Sequence, residues 1–72
     1  MTYPMHSVRS SNVKAIGYEE GSRTLTVEFL DNSIYEYSGV SLSLYLQLDN
    51  ADSKGGFLSA EIKGVYPYKK IR

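Results

Sequence analysis

The chain has 72 residues and no cysteine, and its eight basic side chains balance its eight acidic ones, so the formal charge is zero. A domain of this length buries only roughly 60% of the surface that its unfolded chain exposes, which argues against a deep enzymatic cleft between lobes. The lack of cysteine excludes a disulfide scaffold and a thiolate zinc site. We therefore expect one small domain in a reducing compartment, stabilised by packing alone.

The N-terminal residues predict no targeting signal and no stable element. Residues 1–6 have neither the charged flank nor the apolar run of a signal peptide, and no stretch approaches the roughly 20 apolar residues that span a bilayer. His6 lies in this segment and has no cysteine to share a metal with. We expect a cytoplasmic protein in which residues 1–7 form a mobile tail and residues 8–72 form a single domain, without metal or cofactor.

The first half of the chain reads as three strands. Residues 13–18 and 24–29 are rich in β-branched and aromatic side chains, and the second run alternates polar and apolar with period two. Gly21, in the polar stretch between them, can take the positive φ that a tight turn needs. A second turn at residues 31–32 leads into residues 33–38. The pattern predicts an antiparallel meander.

The length of the second turn decides which face of the sheet carries Tyr35 and Tyr37, because directly opposed residues of an antiparallel pair share a face. A two-residue loop places both tyrosines on the face away from Val27, as a solvent-exposed platform. A three-residue loop, with Asn32 left-handed, pairs Val27 with Tyr35 and places both tyrosines in the core. We favour the longer loop because it gathers the large apolar side chains on one face.

The second half is predicted to supply two helices. Ser41 is suited to cap a helix of about ten residues that ends near Ala51, whose apolar spacing suggests that most of its circumference is buried. Residues 53–56 are predicted to be a loop, because each of their two adjacent glycines costs about 1 kcal/mol relative to alanine inside a helix. A second, short helix is predicted over residues 57–62, with Gly64 as its stop.

The last residues are predicted to be extended. Pro67 biases Tyr66 away from the helical region, and the tail that follows could pair as an edge strand. The expected fold class is therefore α+β: a three-stranded antiparallel meander packed by one main helix and a short second helix, with an extended C-terminal tail.

Several short segments together resemble a known family. They are residues 10–13, 16–18 and 25–29, the triplet Tyr35-Glu36-Tyr37, residues 53–57 and Ile62. In order and spacing they resemble the KTSC domain, a module of similar length found alone in bacterial and phage-related proteins and at the C-terminus of some lysyl-tRNA synthetases. The resemblance runs from Val8 to Tyr66. It implies a small domain of unestablished activity, and the attachment to a synthetase suggests a role in RNA binding.

The charges are distributed unevenly along the chain. Residues 1–16 hold two bases and no acid, a net +2, residues 17–52 hold seven acids and one base, a net −6, and residues 53–72 hold five bases and one acid, a net +4. If the fold joins the two ends, cations interleaved with tyrosines form a face that can neutralise RNA phosphates and stack on bases. The candidate RNA-binding residues are Arg9, Lys14, Lys54, Lys63, Tyr66, Tyr68, Lys69 and Lys70, with Tyr35 and Tyr37 as the family motif. A solvated lysine tail with Tyr66 in the core is the competing interpretation.

No catalytic arrangement is evident in the sequence. Glu19 and Glu20 would point to opposite sides of a strand, and residues 53–56 lack the spacing of a phosphate-binding loop. We expect a non-enzymatic module that binds RNA or tRNA weakly through its basic face. The alternative is a protein-interaction adaptor of a bacterial or phage-related system, which would use the acidic middle segment or an exposed strand edge. The ligand, the oligomeric state and the host stay open.

Overall fold

Five strands and two helices make up the computed structural model, which describes residues 2–72. In chain order they are β1 (Thr2–Ser7), β2 (Val13–Glu19), β3 (Thr24–Phe29), β4 (Ile34–Tyr37), α1 (Leu42–Asn50), α2 (Lys54–Glu61) and β5 (Tyr68–Lys70). The strands form one antiparallel sheet in the order β1-β2-β3-β4-β5. The fold is α+β with two helices, but the predicted three-stranded meander understates the sheet by a strand at each edge.

The first of the added strands lies where the sequence predicted a mobile tail. β1 pairs with β2 through Tyr3 opposite Tyr18 and Ser7 opposite Ala15, with an irregularity in between. The strand shows no clear apolar alternation because all its side chains except the half-buried Tyr3 are exposed. Pro4 is tolerated because β1 is an edge strand. The tail prediction is therefore wrong for residues 2–7, and residue 1 lies outside the described part.

At the other edge, β5 pairs with β4, placing Tyr68 opposite Tyr37 and Lys70 opposite Tyr35. The extended tail thus does pair as an edge strand. Beyond it, the Ile34 carbonyl accepts a 2.7 Å hydrogen bond from the Ile71 amide. β5 therefore extends the face of the sheet that carries the central tyrosines.

The turn between β3 and β4 has the three-residue form. Asn32 has a φ of 71°, and the Phe29 amide donates to the Ser33 carbonyl at 2.9 Å. Val27 consequently pairs with Tyr35, as the longer loop requires. The central tyrosines face inward, with Tyr37 3% exposed.

The turn between β2 and β3 differs from the prediction. Arg23, with a φ of 54°, takes the left-handed conformation that the sequence assigned to Gly21. The Arg23 amide donates to the Glu20 carbonyl at 3.3 Å, so the turn closes over residues 21–22. The left-handed residue follows this turn, two positions after Gly21.

The first helix begins as predicted but is less buried than expected. The Ser41 hydroxyl accepts a 3.1 Å hydrogen bond from the Leu44 amide, which satisfies one of the unpaired donors of the first turn. Only Tyr45 and Leu48 are fully buried, and Leu46 is 40% exposed. The prediction of a mostly buried circumference is wrong, because the helix meets the sheet with one side only.

The second helix begins three residues earlier than predicted, at Lys54, so the expected loop forms its first turn. The Ser53 hydroxyl caps it by accepting from the Gly56 amide at 3.1 Å. A Cβ placed on Gly55 would lie 2.2 Å from Asn12 Oδ1, so a larger residue at this position would require the exposed Asn12 side chain to move. The cap offsets part of the helical cost of the glycines.

The helices and the inner face of the sheet share one core. Its fully buried members come from β2, β3, β4, both helices and their connections: Val13, Ile16, Tyr18, Leu25, Val27, Tyr37, Val40, Tyr45, Leu48, Leu58 and Ile62. Tyr18 and Tyr45 stack at 5.0 Å between ring centroids. Neither helix within residues 2–72 has the length and hydropathy needed to cross a bilayer.

Candidate functional site

An open groove of about 600 Å³ lies at the β4–β5 end of the sheet, on the inner face. We call it the aromatic groove: its rings are Phe29, Tyr35, Tyr37 and Tyr68, and its other lining residues are Ser11, Asn12, Leu30, Asp31, Ser33, Lys63 and Gly64. The register explains the rings, because Tyr37 and Tyr68 are directly opposed and Tyr35 lies two residues before Tyr37 on the same face. The helices leave this end of the inner face open.

The rings of the groove range from buried to exposed. Tyr37 lies at the core end, and burial raises the pKa of its phenol above the ordinary value. Tyr35 contacts Phe29 edge-on at 5.6 Å and Tyr68 at 5.6 Å between centroids. Tyr68 is 64% exposed. One broad aromatic surface is thus open to solvent and rests on rings that are packed beneath it.

One cation and one carboxylate line the groove, and a second cation lies beside it on the same face of the sheet. The Lys63 ammonium, just after α2, lies 5.0 Å from the centroid of the Phe29 ring. Lys70 lies opposite Tyr35 and so on the same face. Asp31 Oδ1 accepts from the Ser33 hydroxyl at 2.6 Å and from the Ser33 amide at 3.0 Å. These hydrogen bonds lower the pKa of Asp31, with a smaller contribution from the charge of Lys70.

The structure separates the other predicted binding residues from this groove. Lys69 lies opposite Glu36, on the outer face of the sheet. Lys14 also reaches that face, where its ammonium lies 3.8 Å from a Glu28 carboxylate oxygen. The consecutive residues Lys69 and Lys70 of β5 thus lie on opposite faces of the sheet.

The remaining three predicted residues have other surroundings. Lys54 donates a 2.8 Å hydrogen bond to the Ala51 carbonyl at the end of α1. Tyr66 is half-buried and packs against the core, as expected if it is a core residue rather than an RNA-binding one. Arg9 is exposed in the connection between β1 and β2. Of the eight predicted binding residues, Lys63 and Tyr68 line the groove, and Lys70 lies opposite Tyr35 on the same face.

Sequence reasoning did not single out Phe29 or Asp31 as site residues. Phe29 packs against the core and also lines the groove. The signal for Asp31 was its position two residues before Ser33, because an aspartate side chain commonly accepts from the amide two residues on. His6 was placed in a mobile tail, but its Nε2 lies 2.8 Å from Asp49 Oδ1 and links β1 to α1.

Comparisons with known proteins agree on one family. A family model described as the KTSC domain matches residues 9–66. Lysine-tRNA ligases of Nostoc sp. strain PCC 7120 and of Trichormus variabilis are 41% and 38% identical to the chain over 71 residues, which is 99% of the chain and 13% of each ligase. A crystal structure of a KTSC domain protein from Yersinia pestis matches with a TM-score of 0.92 and 33% identity, over 96% of this chain and 97% of that one.

Proposed function

The chain belongs to the KTSC domain family, and on this premise we propose that it is a non-enzymatic module that binds RNA weakly, with tRNA as its partner. The observation that carries the proposal is the aromatic groove, where exposed Tyr68 lies beside the cations Lys63 and Lys70. Relatives named lysine-tRNA ligases make tRNA the first RNA to test, although the chain spans only 13% of their length.

The groove offers what a flexible RNA strand requires. Base stacking on an exposed ring contributes roughly 1–3 kcal/mol per base, and nearby ammonium groups neutralise phosphates. With Lys63 and Lys70 as its cations, the groove makes few phosphate contacts, so the expected affinity is low and dependent on salt. Arg9, which is exposed, is a further candidate for contact with a phosphate.

The distribution of acidic side chains over the sheet supports this choice of face. The glutamates of the strands, Glu19, Glu28 and Glu36, alternate with inward residues and so lie on the outer face. There Glu28 is neutralised by Lys14 and by Arg72, whose guanidinium lies 3.0 Å away. The zero net charge therefore does not prevent an anion from approaching the groove.

Two neighbouring lysines provide a matched test. Lys70→Glu and Lys69→Glu make the same charge change on β5, but only Lys70 lies on the face of the groove. Labelled tRNA should bind the unaltered chain at about 50 mM salt and more weakly at about 200 mM, because counterions compete for the phosphates. Lys70→Glu and Lys63→Glu should each weaken binding several-fold, and Lys69→Glu much less. No binding at low salt, or equal losses in the two β5 variants, would overturn the proposal.

The edges of the sheet support the adaptor as a second candidate. β1 and β5 each pair on one side only, so their outer backbone groups are available for an added strand. Nuclease treatment of a lysate separates the two functions. An adaptor keeps its protein partners after treatment, whereas an RNA-binding module loses any partner held through RNA.

A further inference from the structure

The aromatic groove has the dimensions of a small-ligand pocket. Its volume of about 600 Å³ lies within the roughly 300–1,000 Å³ of pockets that hold small molecules. The bases of an RNA duplex are paired and stacked on one another, so they cannot present a ring face to a pocket of this kind. A base that enters the groove must come from a single-stranded segment.

Tyr68 gives this base a surface on which to stack. Its ring lies 5.6 Å from that of Tyr35 and 6.1 Å from that of Tyr37, measured between centroids. The two inner rings hold Tyr68 from one side, and 64% of the residue is exposed. A base can therefore stack on Tyr68 without displacing a core residue.

Asp31 gives the groove one negatively charged side chain. Ser33 fixes its carboxylate through two hydrogen bonds, which also lower its pKa and keep it ionised at neutral pH. An ionised carboxylate accepts hydrogen bonds and repels phosphate. Charge complementarity therefore assigns phosphates to Lys63 and Lys70, and assigns the amino edge of a base to Asp31.

Resting on the RNA binding proposed above, we infer that the aromatic groove takes one unpaired base that carries an exocyclic amino group. The base stacks on Tyr68, its amino group donates to the Asp31 carboxylate, and the adjoining phosphates lie at Lys63 and Lys70. Cytosine, adenine and guanine carry such a group. Uracil presents a carbonyl oxygen where cytosine presents its amino group, and its one donor, the ring N3–H, lies a position away. A carboxylate held at the amino position therefore favours cytosine over uracil.

Fluorescence anisotropy with labelled oligocytidine and oligouridine of about six nucleotides tests this inference. Oligocytidine should bind roughly tenfold more tightly, because a hydrogen bond to a charged acceptor is at stake. Asp31→Asn keeps the turn at Ser33, since asparagine forms the same turn, but should reduce the ratio to about one. Asp52→Asn removes an exposed carboxylate outside the groove and should keep the ratio.

A second variant separates stacking from base selection. Tyr68→Ala should weaken the binding of both oligonucleotides by roughly tenfold. Equal affinity for the two oligonucleotides, a preference that survives Asp31→Asn, or equally tight binding of duplex RNA would overturn the inference. If tRNA binding persists in any of these cases, the proposed function stands while the base site fails. If neither tRNA nor oligocytidine binds, both fail.

Discussion

At the scale of single residues, Gly17 is the point at which β1 comes closest to β2. A Cβ built on Gly17 would lie 2.7 Å from Met5 Sδ and 3.0 Å from the Met5 amide nitrogen, closer than packed atoms approach. The sulfur can move, but the backbone of an edge strand moves only if the pairing changes. The attachment of β1 therefore depends on the absence of a side chain at position 17.

We expect Gly17→Ala to lower the free energy of unfolding by about 1–3 kcal/mol, as overpacking a close contact does. Urea unfolding measures the change, and amide exchange in β1 shows whether the strand has separated. Gly21→Ala is the matched control, because its Cβ would meet only the flexible end of the Glu19 side chain, at 3.1 Å. Equal stability of the two variants would show that β1 is not held in this way.

Buried tyrosine side chains make the stability of the fold depend on pH in the alkaline range. Burial, with a smaller contribution from Asp49, raises the pKa of Tyr45 to about 12, and burial also raises the pKa values of Tyr18 and Tyr37. In the unfolded chain a tyrosine ionises near the reference value of 10.0. Above that pH the unfolded state loses protons that the folded state retains, so stability declines as pH rises.

The free energy of unfolding should therefore hold steady up to about pH 10 and then fall toward pH 12. Urea midpoints across this range, with tyrosinate absorbance as a second readout, measure the decline. Tyr45→Phe removes one of the titrating groups and should make the decline shallower. A decline as steep in Tyr45→Phe as in the unaltered chain would contradict the assignment to this phenol.

At the scale of elements, the cap residue decides where α2 begins. Two glycines in the first turn would disfavour this start in isolation, and the Ser53 hydroxyl compensates by accepting from the Gly56 amide. α1 starts in the same way, with Ser41 accepting from the Leu44 amide, but its first turn has no glycine.

Removal of the Ser53 cap should therefore fray the first turn of α2 more than removal of the Ser41 cap frays the first turn of α1. Ser53→Ala and Ser41→Ala should each cost about 1 kcal/mol of stability. Hydrogen exchange should then accelerate over residues 54–57 in Ser53→Ala, and less over residues 42–45 in Ser41→Ala. Equal protection of both first turns would show that packing at Gly55, rather than the cap, sets the start of α2.

Local chemistry explains which elements the sequence could predict. The left-handed preference of Asn32 and the gathering of apolar side chains give the β3–β4 register, and the hydroxyl of Ser41 gives the start of α1. β1 was not predicted because its side chains are almost all exposed, so they show no apolar alternation, and because Pro4 is unfavourable inside a sheet. The start of α2 was not predicted because the helical cost of two glycines favours a loop unless the hydrogen bond from the Gly56 amide to the Ser53 hydroxyl is included.

At the scale of the whole molecule, the sheet places charges from one segment of the sequence on opposite faces. The sequence predicted one basic face on the condition that the fold joins the two basic ends. Alternation along β5 instead places Lys69 on the outer face and Lys70 on the inner one. A segment sum cannot foresee this, because a one-residue step in register moves a side chain to the other face. The basic site is consequently smaller than predicted and lies beside aromatic rings.

The most direct test of the central claim, that the aromatic groove is the RNA-binding face, is chemical-shift mapping of the labelled chain titrated with tRNA. We expect perturbations at Phe29, Lys63 and Tyr68 that weaken as salt is raised. The outer-face residues Thr26 and Glu36 serve as internal controls and should change little. Perturbations confined to those outer-face residues, or no perturbation at low salt, would contradict it.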